Sequence, residues 1–235
     1  MTSLLHLDSS ANRSGESVSR ALTALFADTW QAVHGSSGYR YRDLAADPVP
    51  PLGTAYCTLG RRLERDGLVP AERVAALTAN PAEEREWALT HPLVMELLGA
   101  DTVLIGAPMY NYTIAAALKA WIDRVSFPGA FTDPRTGHSL LRNTRVVVLA
   151  ARGGSAEALD FETGYLRAYF GRLGVSDIHV IMAKLTLAGL VPRLAGLRPL
   201  AADSLNAARA EVIALAAQPN ASSPSSNLST SASSM

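Results

Sequence analysis

Thr102-Val103-Leu104-Ile105-Gly106-Ala107 is an unbroken apolar run, and Pro108-Met109-Tyr110-Asn111-Tyr112-Thr113 follows it as a loop. No polar residue alternates within the run, so it reads as a central parallel strand covered on both faces. Arg145-Val146-Val147-Val148-Leu149-Ala150 repeats the pattern and stops at Arg152-Gly153-Gly154. Upstream, Leu4-Leu5-His6-Leu7 is a third short run, ended by Asp8-Ser9-Ser10. Residues 38–42 alternate like a strand with one wet face, and 178–182 supply a fifth strand. Between these runs the period changes. Val18, Leu22, Leu25, Phe26, Thr29, Trp30 and Val33 step by threes and fours, as a helix buries one face. Further helices are expected over 54–65, 81–99, 115–125, 157–173 and 201–217; that over 81–99 opens at Asn80-Pro81, a cap followed by proline. Strands separated by helices make βαβ units, hence an α/β doubly wound parallel sheet with helices on both faces.

The chain has 235 residues, 48% hydrophobic and 18% charged, with formal net charge zero. A neutral balance argues against binding nucleic acid through its phosphates. No run is long enough to span a membrane, and no basic leader precedes Asp8, so a cytoplasmic location is expected. Cys57 is the only cysteine, which suits a reducing compartment. The charged fraction is low against the roughly 25% of ordinary domains, which hints at a surface partly turned away from water. Residues 218–235 contain eight serines and almost nothing apolar; a disordered tail is expected there, with residues 1–217 forming one domain.

In doubly wound sheets ligands sit beyond the carboxyl ends of the strands, where strand order reverses. That rule selects three segments. After strand one, residues 9–19 lead into a helix start, and Ser10, Ser17 and Ser19 add hydroxyls to free backbone N–H groups. These neutral donors suit a phosphate, although serine capping of the helix explains them equally well. Neither G-x-G-x-x-G nor a P-loop sequence occurs, so a mononucleotide is the better guess. After strand three, Met109, Tyr110 and Tyr112 offer flat polarizable surface, and Asn111 can address ring heteroatoms. After strand four, Ala151-Arg152-Gly153-Gly154 combines a bare backbone with a guanidinium; a ring edge or a plain Gly-Gly turn would each account for it.

Taken together, Ser9-Ser10 with Ser17-Val18-Ser19, Ala107-Pro108-Met109-Tyr110-Asn111-Tyr112, Leu118-Lys119-Ala120-Trp121-Ile122-Asp123 and Arg152-Gly153-Gly154 resemble the FMN-dependent NADH-azoreductase and quinone-reductase family. The resemblance spans most of residues 3–183, including Arg42-Asp43-Leu44-Ala45-Ala46-Asp47-Pro48. It implies a flavodoxin-like sheet of five strands in the order 2-1-3-4-5. It implies FMN as cofactor, with Ser10 and Ser17, Val18 and Ser19 at its phosphate. Pro108, Met109, Tyr110, Asn111 and Tyr112 would line the isoalloxazine, and Ala151, Arg152, Gly153 and Gly154 would meet its pyrimidine end. NADH or NADPH would deliver a hydride to flavin N5, and a quinone or azo compound would then collect two electrons in the same place. The family works as a homodimer with active sites at the subunit boundary, which would account for the low charged fraction.

Two segments depart from the family pattern. Residues 129–138 keep Phe131, a candidate to cover the flavin, but lack the aromatic usually found two residues on; His138 stands in the same loop. Residues 185–197 are longer and more apolar than relatives need, as a lid or an extra dimer contact would be. The remaining histidines show no metal-ligand spacing, and Cys57 lacks a neighbouring His or basic cluster in sequence, which argues against a nucleophile role. The residues leave two further readings beside a quinone or azo reductase. A tailoring oxidoreductase for one metabolite would turn generic acceptors over poorly. A non-catalytic electron carrier would not consume NADH, and such carriers are usually acidic where this chain is neutral.

Overall fold

A computed structural model describes residues 2–154 and 159–218. Five strands, β1 (Leu4–Asp8), β2 (Tyr39–Asp43), β3 (Thr102–Pro108), β4 (Arg145–Ala151) and β5 (Asp177–Ala183), form one parallel sheet in the order β2-β1-β3-β4-β5. The expected order is therefore the observed one. Strands β1, β3 and β4 are buried along their whole length, while the edge strands β2 and β5 are partly exposed. That is why the central strands read as continuous apolar runs and β2 as an alternating one.

Side chains leave each strand on alternate faces. Leu5, Leu7, Val103, Ile105, Val146 and Val148 enter one core, against α2 (Thr54–Asp66), α4 (Pro81–Leu98), α5 (Ala116–Val125) and α6 (Phe161–Arg172). Leu4, Leu104, Val147, Leu149 and Ile181 enter the other, against Leu22, Phe26 and Trp30 of α1 (Val18–His34) and Val212 of α7 (Arg198–Ala216).

The expected helices stand where the periodicity put them, with shifted ends. Asn80 caps α4 through its side chain, accepting from Ala82 and Glu83 N–H. Helix α6 starts at Phe161, capped by Asp160, later than the spacing from residue 157 suggested. Residues 155–158 lie outside the described residues, as does 219–235, nearly all of the expected tail. The short helix α3 (Ala71–Val74) and the 3-10 turns at Thr186–Gly189 and Pro192–Leu197 have no counterpart in the sequence pattern. Among the described residues, no helix is long and apolar enough to cross a membrane.

Candidate cofactor site at the carboxyl ends of the strands

Because β1 connects outward to β2 while β3 continues the other way, the loops after β1 and β3 part at the switch point. A cleft of about 310 Å³ lies there. Ser10, Ser17, Val18 and Ser19 line one end; Pro108, Met109 and Tyr110 line the middle; Ala151 and Gly153 close the far side. The loops are stitched to one another by backbone. Ser9 N–H donates to Gly106, Met109 N–H to Ala151, and Arg152 N–H to Ala183. Each loop is thus carried on the neighbouring strand.

At the polar end, Ser17 is the N-cap of α1, its hydroxyl accepting from Arg20 N–H. Ser17 and Ser19 hydroxyls lie 3.2 Å apart, both buried, at the positive end of the helix dipole. Helix N–H groups and two hydroxyls facing one space fit a phosphate. Among the described residues, Arg or Lys is absent from the cleft lining, whereas Asn12 and Glu16 belong to it. Arg20, in the first turn of α1, turns away from the cleft. Its guanidinium spans both oxygens of Asp43 at 2.7 and 3.0 Å. Burial pushes the Asp43 carboxyl up, but the Arg20 contact and N–H bonds from Ala45 and Ala46 outweigh it and hold the carboxyl below its ordinary value.

The loop after β3 folds back on itself. Tyr110 and Thr113 exchange backbone hydrogen bonds, which leaves Asn111 and Tyr112 at the tip with φ of 49° and 71°. Two consecutive non-glycine residues in the left-handed region are strained, and such strain gathers at ligand sites. Tyr110 stands between two spaces: the cleft, and an apolar cavity of about 640 Å³ shared with Asn111, Ile114, Lys119 and Tyr165. Asn111 therefore opens on the second cavity. Tyr112 is exposed, and its carbonyl accepts from Phe161 N–H at the start of α6. Flat aromatic surface at Tyr110 facing a wall of Ala151, Gly153 and Leu187 fits a planar ring system, and the polar end fits its phosphate.

The structure moves several sequence expectations. Arg152 is buried and pairs with Asp160 at 3.7 Å, so its guanidinium points under α6 and not into the cleft. Gly154 is exposed beyond the lining. The space bared by Gly153 is filled by Leu187 of the turn after β5. Phe131 is buried in the core on the α4–α6 face, beside a separate cavity it shares with Tyr169. It does not reach the cleft of its own chain. His138 is exposed in its loop. Thr186, Leu187 and Leu190 join the cleft wall, so the long segment after β5 covers the site in its own chain. Among the described residues, no three His, Cys, Asp or Glu side chains gather as metal ligands would.

A family model described as a flavodoxin-like fold matches residues 2–204. An FMN-dependent NADH:quinone oxidoreductase of Nocardia farcinica is 42% identical over 220 residues, 89% of this chain and 97% of that protein. One of the same description from Kineococcus radiotolerans is 37% identical over 92% of this chain and 99% of its own length. Among solved structures, an azoreductase from Bacillus anthracis superposes with a TM-score of 0.73 at 20% identity, covering 92% of this chain and 99% of that one, which speaks to the fold. Matched along nearly its whole described length, the chain belongs to the flavodoxin-like FMN-dependent NADH:quinone oxidoreductase family.

Proposed function

We propose that the protein is an FMN-dependent NADH oxidoreductase that reduces quinones or azo compounds, with residues 1–217 as the working unit. The observation that carries this reading is the cleft at the switch point. Its polar end offers Ser10, Ser17 and Ser19 with helix N–H groups, and its middle offers Met109 and Tyr110. Family membership supplies the cofactor and the acceptor class. When bound, FMN supplies two-electron chemistry in which donor and acceptor take turns at one place, a ping-pong order.

This chain's own residues do the positioning. Ser17, Ser19 and the start of α1 would hold the phosphate, and Met109 and Tyr110 would face the ring. Leu187, packed on Gly153, and Leu190 give the cleft wall its apolar side chains. Exposed Tyr112, Phe161 and Leu159 lie close in sequence or contact beside the apolar cavity at Asn111, and this apolar face supports a homodimer whose partner completes the acceptor pocket. NADH is the donor we propose, in keeping with the relatives' description.

The test is direct. Purified protein is expected to be yellow and to consume NADH in the presence of a soluble quinone, with no consumption by the flavin-stripped chain until FMN is restored. A colourless protein that neither takes up FMN nor oxidises NADH would overturn the reading. Full flavin load with negligible turnover of any generic quinone or azo dye would favour the single-metabolite alternative.

A further inference from the structure

One peptide unit at the mouth of the cleft is held at both of its polar ends. The Ser10 carbonyl accepts from Arg20 Nη2 at 2.7 Å, on the side of α1 and β2. The N–H of the same unit, that of Ala11, donates to the Tyr110 hydroxyl at 3.1 Å, on the side of the loop after β3. The Tyr110 hydroxyl also lies 3.3 Å from Ser10 Oγ.

Both clamps are themselves held. Arg20 spans the Asp43 carboxylate, reaches Asp8 Oδ2 at 3.4 Å, and meets the Tyr41 hydroxyl at 3.2 Å. A planar fork held at these acceptors keeps one orientation, in which Nη2 shares its two N–H groups between Asp43 and the Ser10 carbonyl. Tyr110 is fixed through its backbone pairing with Thr113. Capping α1 requires neither residue, because Ser17 already does so. What the two clamps share is the Ser10–Ala11 peptide, which carries a Ser10 hydroxyl that itself lies 3.3 Å from both the Asn12 carbonyl and the Tyr110 hydroxyl.

We propose that Arg20 and Tyr110 are paired positioning residues for phosphate recognition, orienting the Ser10–Ala11 peptide from opposite sides so that the Ser10 hydroxyl meets the phosphate. The proposal rests on the placement of the FMN phosphate at Ser10, Ser17 and Ser19. Arg20 works here without giving its charge to the phosphate, since Asp43 and Asp8 already face it. Tyr110 also belongs to the loop that carries Met109 and Asn111, so a single phenol joins the phosphate end of the site to its ring end.

The test compares FMN with riboflavin, which lacks the phosphate, by titrating the full chain stripped of flavin. In the unaltered protein FMN binds more tightly, and Ser17→Ala with Ser19→Ala narrows the ratio; absence of any preference overturns the phosphate placement itself. Arg20→Lys keeps a cation between Asp8 and Asp43, so it should fold, yet an ammonium cannot span Asp43 and reach Ser10 together. Tyr110→Phe removes only the hydroxyl. Each is expected to cut the FMN-to-riboflavin preference about tenfold, the size of one charge-assisted or buried hydrogen bond, with riboflavin affinity unchanged. If the serine variants narrow the ratio while Arg20→Lys or Tyr110→Phe leaves it intact, the clamp is overturned and the phosphate placement stands. If FMN and riboflavin weaken together, the residues act on the whole cleft and the proposal is likewise overturned.

Discussion

Leu187 occupies the space that a side chain on Gly153 would need: its Cδ1 lies 2.5 Å and its Cγ 2.8 Å from where a Cβ would stand. The glycine at this position thus serves a contact within the chain that builds the cleft wall. Gly153→Ala should force Leu187 off the wall, at about 1 kcal/mol because Leu187 is 43% exposed and can swing outward. FMN affinity should fall several-fold. Adding Leu187→Ala should recover most of the lost stability but not the affinity, because the wall is then gone. Thermal melts and FMN titrations of the two single variants and the double variant measure both, and simple additivity of the melts would contradict the contact.

Glu162 is fully buried, and among the described residues neither carboxylate oxygen has a hydrogen-bond partner. Burial, reinforced by the Asp160 carboxylate and only partly offset by Arg152, pushes its carboxyl up to about 9 from an ordinary 4.5. The folded state therefore keeps this proton where the unfolded chain has released it. Stability linked to Glu162 is complete below about pH 4.5, declines as pH rises, and is lost once pH passes about 9. Glu162→Gln keeps the shape without the proton to lose. Its advantage over the unaltered protein should grow across that window to a few kcal/mol, since each tenfold difference in proton affinity between folded and unfolded chain is worth about 1.4 kcal/mol. Denaturant midpoints at pH 5, 7 and 9 (roughly the start, middle and end of the window) would show this, and parallel pH curves would contradict it.

Much of the architecture was legible because it depends on local pattern. The apolar runs of β3 and β4 announce burial on two faces, and Asn80-Pro81 and Ser17 announce helix starts. What escaped depends on meetings between distant segments. Arg20 reads as one more charge on a helix until the sheet brings Asp8 and Asp43 into register beside it. Arg152 reads as a free cation until Asp160 is folded over it, and Gly153 as open backbone until Leu187 arrives from the turn after β5. Phe131 shows how an aromatic quoted from a motif can be claimed by the core. Helix α3 is a single turn, too short for periodicity to reveal.

The left-handed turn at Asn111 and Tyr112 is kept against its own cost. A bulky residue in that region forfeits about 1–2 kcal/mol relative to glycine, only part of which glycine's extra freedom in the unfolded chain returns. Tyr112→Gly should therefore leave the protein as stable as before, or up to about 1 kcal/mol more so. Turnover with quinone should nonetheless fall, because the exposed ring of Tyr112 is placed for contact and not for packing. Chemical denaturation alongside kcat and KM would separate the two effects; a variant both less stable and fully active would contradict this account.

Arg124 on α5 is a buried cation with an almost complete set of acceptors. Its Nη1 meets Glu86 Oε2 at 2.8 Å, its Nε and Nη2 meet the Pro50 carbonyl at 3.1 and 3.0 Å, and Nη2 also meets Pro51 at 3.0 Å. The loop of prolines cannot supply backbone N–H groups to anchor itself, so a side chain from the core must bind it through its carbonyls. Arg124→Met fills much of the same volume but leaves Glu86 and both carbonyls without their donor. Glu86 is partly exposed and keeps some hydration, so the loss should fall below the about 3–5 kcal/mol of breaking a fully buried pair, yet the denaturation midpoint should still drop. Arg124→Lys should recover part of it, since one ammonium can serve Glu86 or the carbonyls but lacks the fork that serves both. A methionine variant as stable as the unaltered protein would mean that packing alone holds the proline loop against α5.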